Sequence, residues 1–274
     1  MLNILLSDTT FKNIRDYIYD KSGIYISDTK KYLIENRLSR ILLDNNLNSF
    51  EDYLKVLKFN SNAHELTRLF DAITTNETFF FREEQQLTTL IDHVLPPLLK
   101  NNNRSSKLKI WSAACSTGEE PYTIAMMLME QRLTTQHFEI HASDISEAVL
   151  ASAKKAVYNS YSVRNIPDSY LNKYFVSAGD SFNLKSTIKN SVHFRKINLI
   201  DEKSMRSIRG FDVIFCRNVL IYFDTKAKQK VVSNLYNSLN PGGYLIIGSS
   251  ESLHSITRAF RPSIINKVIM YQKV

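Results

Sequence analysis

The sequence predicts an α/β protein in which a mostly parallel sheet is covered by helices on both faces, with an all-helical segment ahead of it and a small antiparallel β subdomain inserted within it. Three observations carry this. Up to about Thr75 the apolar residues recur at helical spacing with almost no strand-like alternation. From Leu108 short apolar runs alternate with helical patterns: strand 108 to 113, helix 121 to 131, strand 138 to 143 and helix 146 to 157. Between Tyr158 and Val192 the rhythm breaks, because the β-like pieces SYSVRNI, KYFVSAG and NSVHF have no long helix between them to form a crossover. The chain of 274 residues exceeds the usual size of one domain. The expected division is 1–75 helical, 76–105 a linker and helix, and 106–274 the wound sheet, with the insertion at about 158–192.

In the helical segment, Ser7 and Asp8 can cap a helix through Lys21, Ser27 and Asp28 a second through Leu43, and Ser49 a third through Leu57; a fourth runs from Ala63 to Ile73. Lys30, Arg37 and Arg40 gather along one side of the second helix, where Lys31 and Glu35 can pair at i,i+4. A solvated face explains those charges equally simply. Asn76 to Glu83, NETFFFRE, leads to a helix running towards Leu90 and a break at Pro96 and Pro97, and Asn101 to Ser106 is a polar loop. Core packing is the expectation for Phe79 to Phe81, with one ring able to flank a cleft. After the insertion come a strand ending near Leu199, strand Phe211 to Cys216, helix 225 to 239, strand Tyr244 to Gly248 after the Asn240 to Gly243 turn, and a last strand Lys267 to Gln272. A last antiparallel strand on such a sheet is typical of the class I methyltransferase (Rossmann-like) fold.

Composition narrows the alternatives. Hydrophobic residues are 43% and charged residues 23%, as in soluble globular proteins, and no apolar run approaches the roughly 20 residues of a membrane span. Met1 to Leu6 is apolar but has no basic leader or small-residue cleavage site, so the expected compartment is the cytoplasm. Cys115 and Cys216 read as buried thiols. The net charge of +8 and pI near 9.3 suit nucleic acid or an acidic protein surface. The charges balance through Thr75, so the whole excess lies downstream. No metal site is expected, since His137 and His141 are four apart in a strand, too far for one zinc. No GxSxG elbow or P-loop occurs.

The most informative stretch is Lys107 to Tyr122, KLKIWSAACSTGEEPY. It reads as a strand, a turn of small residues and a helix with Pro121 at its first position. In a dinucleotide site the helix N-terminus takes the pyrophosphate, which Glu119 and Glu120 would repel and a cation would tolerate. One βα unit later Asp144 ends a strand, where a carboxylate grips ribose hydroxyls. A nucleoside with a positive charge and no phosphate fits both cues, and S-adenosylmethionine is such a molecule. Each acidic residue alone is equally an ordinary cap.

NETFFFRE, WSAACSTGEEPYTIA, ASDI, INL, FDVIFCRNVLIYFD and LNPGGYLIIGSSESL, in that order across nearly the whole chain, make the sequence resemble the CheR-type chemotaxis methyltransferases. That resemblance implies S-adenosylmethionine-dependent methylation of glutamate side chains on chemoreceptor cytoplasmic helices, with S-adenosylhomocysteine as product. It implies that Asn76, Thr78 and Arg82 line the cleft, that Glu120 and Asp144 bind the methionine amine and ribose regions, that Asn198 and Leu199 border the adenine, and that Arg217 and Asn218 complete the pocket. Arg82 also has a physical rationale: a glutamate is already ionised near neutral pH and needs orientation, which a guanidinium supplies through two parallel hydrogen bonds. Tyr222 is the second catalytic candidate, and Lys30, Arg37 and Arg40 are candidate contacts to acidic receptor helices. Many relatives dock a receptor C-terminal peptide on a glycine-rich turn of the inserted β subdomain. Here the stretch VSAGDSFNLK has only Gly179, so weak or absent docking is expected. A monomer without membrane insertion is expected. The alternative is a nucleic-acid methyltransferase, against which stand the absence of an Asp-Pro-Pro-Tyr-like motif and of a Pro-Cys nucleophile.

Overall fold

The structure is a computed structural model that describes residues 4–59, 63–100 and 107–274. The polar loop expected at Asn101 to Ser106, and the first residues of the apolar start at Met1, lie outside them.

Helix α1 is Asp8–Ser22; the Ser7 hydroxyl accepts from the Thr10 amide at 3.2 Å, as the capping pattern predicts. It ends on Gly23, whose φ of 74° lets its amide return to Tyr19 O. A 3₁₀ turn, Asp28–Lys30, leads into α2, Lys31–Asp44. Ser27 does not cap it. The Lys31–Glu35 pair does not form: Lys31 reaches Asp8 at 2.6 Å, and Glu35 accepts the Leu6 amide at 2.9 Å. A contact to another element displaces an i,i+4 pair worth only about 0.2–0.5 kcal/mol. Helices α3, Phe50–Phe59, and α4, Ala63–Ile73, close this unit around Ile14, Ile18, Leu38, Leu42, Phe50 and Leu69, all fully buried.

The linker helix does not break at its prolines. It runs as α5, Glu84–Thr89, then a π turn, Leu90–Val94, then α6, Leu95–Lys100, with Pro96 and Pro97 in the first turn of α6. The π turn closes on a bond from the Leu95 amide to Leu90 O and widens the helix just where the pyrrolidine rings would meet the preceding turn.

The wound sheet follows: β1 Leu108–Ala113, α7 Glu119–Glu130, β2 Phe138–Asp144, α8 Glu147–Lys155. The insertion holds β3 Val157–Asn159, α9 Ser160–Val163, α10 Asp168–Tyr174, β4 Phe175–Ala178, β5 Ser181–Leu184 and α11 Ser186–Lys189. The chain continues with β6 Val192–Lys196, α12 Glu202–Arg206, β7 Phe211–Cys216, a 3₁₀ turn Leu220–Tyr222, α13 Thr225–Ser238, β8 Leu239–Ile247, β9 Phe260–Ile265 and β10 Val268–Lys273. The seven-stranded order is β6-β2-β1-β7-β8-β10-β9, with β10 antiparallel to both neighbours and the ladder from β6 to β8 parallel. A separate antiparallel sheet, β3-β5-β4, forms the expected inserted subdomain.

Three readings need correction. SYSVRNI opens as a helical turn, because Asn159 Oδ1 accepts the Ser162 amide at 3.0 Å. NSVHF is β6, the parallel edge strand beside β2, so the insertion ends before it. Strand β9 escapes a pattern reading because Pro262 sits inside it, which an edge strand tolerates.

Alternation along the buried strands feeds two cores. In β1, Leu108 and Ile110 face one layer, and Trp111 and Ala113 face the other. The helical unit packs over the carboxyl ends of the parallel strands. The Tyr25 amide donates to Tyr222 O at 2.8 Å, Asn198 Nδ2 to Lys21 O at 2.6 Å, and the Ser146 hydroxyl to Asp71 Oδ1 at 2.6 Å. Among the described residues no helix is long and apolar enough to cross a membrane.

Gly23 sits in this seam, and a Cβ there would lie 2.8 Å from Ile200 Cγ2 with the backbone left-handed. Gly23→Ala is expected to lower stability by about 1–3 kcal/mol, read as a lower urea midpoint at unchanged slope.

Candidate functional site

Between the helical unit and the carboxyl ends of β1, β2 and β7 lies a cleft of about 1090 Å³, open at its mouth. Such a position is where wound sheets bind ligands. Its walls come from the helical unit (Ser22, Ile24, Ile73), the linker (Thr74 to Phe79, Phe81, Arg82), the loop after β1 (Ala114, Cys115, Ser116), and the ends of β2 (Asp144, Ile145) and β7 (Arg217, Asn218, Val219). Ile197, Asn198, Leu199, Tyr222 and Phe223 complete it. Asn76, Thr78, Arg82, Glu120, Asp144, Asn198, Leu199, Arg217, Asn218 and Tyr222 are thus brought together, although they span about 150 residues of chain.

Asp144 is buried at the tip of β2. Its Oδ2 accepts the Ser116 amide at 2.9 Å and its Oδ1 the Ser146 amide at 3.1 Å, leaving each oxygen a lone pair. Burial raises its pKa above the ordinary aspartate value, against these amide bonds. The loop between β1 and α7 reaches it through left-handed residues at Ala114, Ser116 and Gly118, with φ of 66°, 49° and 93°. Three of its amides are already used: Cys115 N donates to Ser143 O, Ser116 N to Asp144, and Gly118 N to Cys115 O.

The two acidic residues at the start of α7 behave differently. Helix α7 begins at Glu119, not at Pro121, which occupies its third position. Glu119 is 1% exposed and faces away from the cleft, accepting from Thr117 Oγ1 at 2.7 Å and Ser162 Oγ at 3.2 Å. Glu120 lines the cleft, held by the Ser112 hydroxyl at 2.6 Å and by Arg217 Nη1 at 2.9 Å. Of the expected acidic pair, therefore, one member faces the ligand, and it carries a cation beside it.

Arg217, its side chain 3% exposed, also pairs with Glu83 at 3.3 Å and donates to Arg82 O at 2.6 Å. Its Nε is buried with no hydrogen-bond partner. Burial works to raise the Glu83 pKa, but Arg217, Asn218 Nδ2 and the Ser249 amide outweigh it and hold the carboxyl below its ordinary range. Asn218, with φ of 55°, gives its amide to Glu251 at 2.9 Å. Asn198 lines the cleft with its side chain committed to Lys21 O and the Ile200 amide. Asn76 donates to the Thr74 hydroxyl at 3.1 Å.

Arg82 donates from Nη1 to Glu77 O at 2.8 Å, and no carboxylate among the described residues pairs with it. Its neighbour in sequence, Glu83, is taken by Arg217. Phe80 is fully buried core, and two rings, Phe79 and Phe81, flank the cleft rather than one. Lys30, which ends the 3₁₀ turn at the N-cap of α2, and Arg40 on α2 are exposed, but Arg37 is not a free surface charge: its guanidinium donates to Ile73 O, Thr74 O and Thr75 Oγ1, cleft-lining residues. Glu83, Ser116 and Ile145 escaped the sequence reading. Glu83 lies inside NETFFFRE, and Ile145 directly follows Asp144.

A sheet with β10 alone reversed, a strand-end carboxylate facing a nucleoside-sized cleft and a loop whose Cys115, Ser116 and Gly118 amides are bonded within the fold define a class I S-adenosylmethionine-dependent methyltransferase. The chain belongs to the CheR methyltransferase family: "CheR methyltransferase, all-alpha domain" matches residues 9–74 and "CheR methyltransferase, SAM binding domain" residues 76–269. It is 39% identical to Chemotaxis protein methyltransferase 2 of Vibrio cholerae serotype O1, over 100% of this chain and 96% of the relative. It is 39% identical to the Chemotaxis protein methyltransferase of Borreliella burgdorferi, over 92% and 91% of the two chains. To that of Escherichia coli K12 it is 35% identical over 94% and 89%.

Burial raises the Glu119 pKa, so above the ordinary glutamate value the native state keeps a proton that the unfolded chain has lost. In that window stability falls as pH rises. Glu119→Gln is expected to flatten this fall, seen in urea midpoints between about pH 4.5 and 7, with S-adenosylhomocysteine affinity unchanged because the side chain faces away from the cleft.

Proposed function

We propose that the protein methylates glutamate side chains of chemoreceptors, leaving γ-methyl esters and S-adenosylhomocysteine, and that Arg82 receives the acceptor carboxylate. The observation that carries this is the Arg82 guanidinium, a cleft cation with no carboxylate partner among the described residues. The full-length likeness to chemotaxis protein methyltransferases supplies the substrate class.

The chain's residues fit S-adenosylmethionine. Arg217 Nε is an open buried donor for the methionine carboxylate, Glu120 is a partner for its ammonium, and Asp144 keeps lone pairs for ribose hydroxyls. Ile145, Ile197 and Leu199 supply apolar surface for the adenine, with Asn198 at its edge. Asn76, Thr78 and Asn218 close the remaining wall. When bound, the cofactor supplies a methyl group on a sulfonium, an electrophile that calls for no added acid.

Arg82 orients the carboxylate by its fork of N–H groups, and no general base is needed because the acceptor is already ionised. Tyr222 lines the same cleft, where its hydroxyl can hold the second carboxylate oxygen. Phe79 and Phe81 restrict water at the mouth. Arg82→Met is expected to lower kcat about 100-fold, with S-adenosylhomocysteine affinity by calorimetry within about threefold of the unaltered protein.

Lys30 and Arg40 are the receptor-facing charges of α2, and Arg37 braces the linker. Charge reversal at Lys30 and Arg40 is expected to raise KM for receptor about tenfold without changing cofactor affinity. Arg37→Ala is expected to weaken S-adenosylhomocysteine binding, which calorimetry reads directly. The reading places the protein in the cytoplasm, acting as a monomer. Gly179 and Asp180 make a bare two-residue turn between β4 and β5, which supports weak or absent docking of a receptor tail peptide.

Incubation with methyl-labelled cofactor and either receptor membranes or total RNA tests the activity. Base-labile label on receptor, released as methanol, is expected; base-stable label on RNA overturns the reading. No observation in the structure favours the nucleic-acid alternative.

A further inference from the structure

Arg164 lies just past α9 in the inserted subdomain, exposed, and reaches back to the linker. Its guanidinium carbon is 3.7 Å from the ring centroid of Phe79 and 3.7 Å from that of Tyr161. Phe79 lines the cleft, and the Arg82 guanidinium lies over the same ring at 5.8 Å. The circuit closes through Glu77: its carboxylate accepts the Tyr161 hydroxyl at 2.8 Å and its carbonyl accepts from Arg82 at 2.8 Å. Two arginines from separate parts of the fold therefore share one aromatic ring at the mouth.

We propose that Arg164 is a specificity-determining cation that reads an acidic side chain flanking the acceptor glutamate on the receptor helix; this rests on the activity proposed above. Among the described residues no carboxylate pairs with Arg164, whose one hydrogen bond runs from Nη1 to Tyr161 O at 2.5 Å. Its neighbour in the insertion, Lys173, is by contrast paired with Glu130 at 2.8 Å. The two rings stand at 81° to each other with the guanidinium against both, which holds it in place, leaves the N–H groups not used by Tyr161 O for a carboxylate and reduces the entropy lost on binding one. A purely packing role needs no charge, and an apolar side chain would fill the same slot. Side chains three or four residues apart on a helix have Cβ atoms about 5–6 Å apart. Two guanidiniums flanking one ring can therefore engage an acceptor at Arg82 and its helical neighbour at Arg164.

The test uses the full chain and receptor membranes in two forms, with aspartate or asparagine at each position three or four residues from a single acceptor glutamate. The unaltered protein is expected to favour the aspartate form about tenfold in kcat/KM. Arg164→Met should erase that preference while S-adenosylhomocysteine affinity and kcat/KM on the asparagine form stay within about twofold, and Arg164→Lys should restore part of it. A preference that survives in Arg164→Met, an equal fall on both forms, or no preference in the unaltered protein overturns the proposal. Absence of base-labile methyl ester on either form, with the unaltered protein, overturns the activity itself.

Discussion

The cleft depends on the buried guanidinium of Arg217. It joins the end of β7 to the first turn of α7 through Glu120 and to the linker through Glu83 and the carbonyl of Arg82. These three segments are far apart in the chain, and this one side chain joins all three, beside the Asn218–Glu83 and Phe81–Thr123 hydrogen bonds that link them in pairs. Removing one partner of such a pair costs about 3–5 kcal/mol, because the other charge stays buried and alone. The chain places that cost at the cleft. The Arg82 carbonyl is fixed by the same guanidinium, so Arg217 sets the backbone position from which the Arg82 side chain reaches the cleft.

Backbone strain follows the same outline. Phe81, Glu83, Ala114, Ser116 and Asn218 all have left-handed φ, and all border the cleft or touch its arginine. Each costs about 1–3 kcal/mol and persists only where the surroundings impose it. In the loop after β1 the strain turns the Ser116 amide onto Asp144; at Asn218 it turns the backbone amide onto Glu251. Gly248 lies against that second contact, where a Cβ would come 2.8 Å from Asn218 Nδ2 and 2.8 Å from Glu251 Oε2. The two cores supply the compensation, since the strands that deliver these residues are buried along nearly their whole length.

Much of this was legible in the sequence. Caps at Ser7 and Ser49 place α1 and α3 within a residue or two, and the alternation of strand and helix after Leu108 gives the parallel sheet. What resisted reading was non-local. The π turn ahead of Pro96, the edge strand holding Pro262 and the capping turn at Asn159 each set a special geometry against an ordinary breaker rule. The cleft-lining residues were legible because several short motifs fall in register with one family. Their partners were not: the Arg217–Glu120 pair joins residues 97 apart, and Arg37 is drawn from its expected surface face by the carbonyls that end α4.

The treatment of phosphate shows how a sound inference can rest on a different cause. Acidic residues at the start of α7 predict repulsion of an anion, yet Glu119 turns inward and Glu120 is offset by Arg217. A two-residue shift of the helix start rotates the expected face by about 200°, which moves Glu119 out of the cleft. Exclusion comes instead from the loop amides. Those of Cys115, Ser116 and Gly118 have acceptors within the fold, so a phosphate entering here finds no free cradle among them and meets Asp144. The same cleft holds two guanidiniums, that of Arg82 and that of Arg217 with its unpartnered Nε. The carbonyl of Arg82 accepts from Arg217 and so holds the two in register.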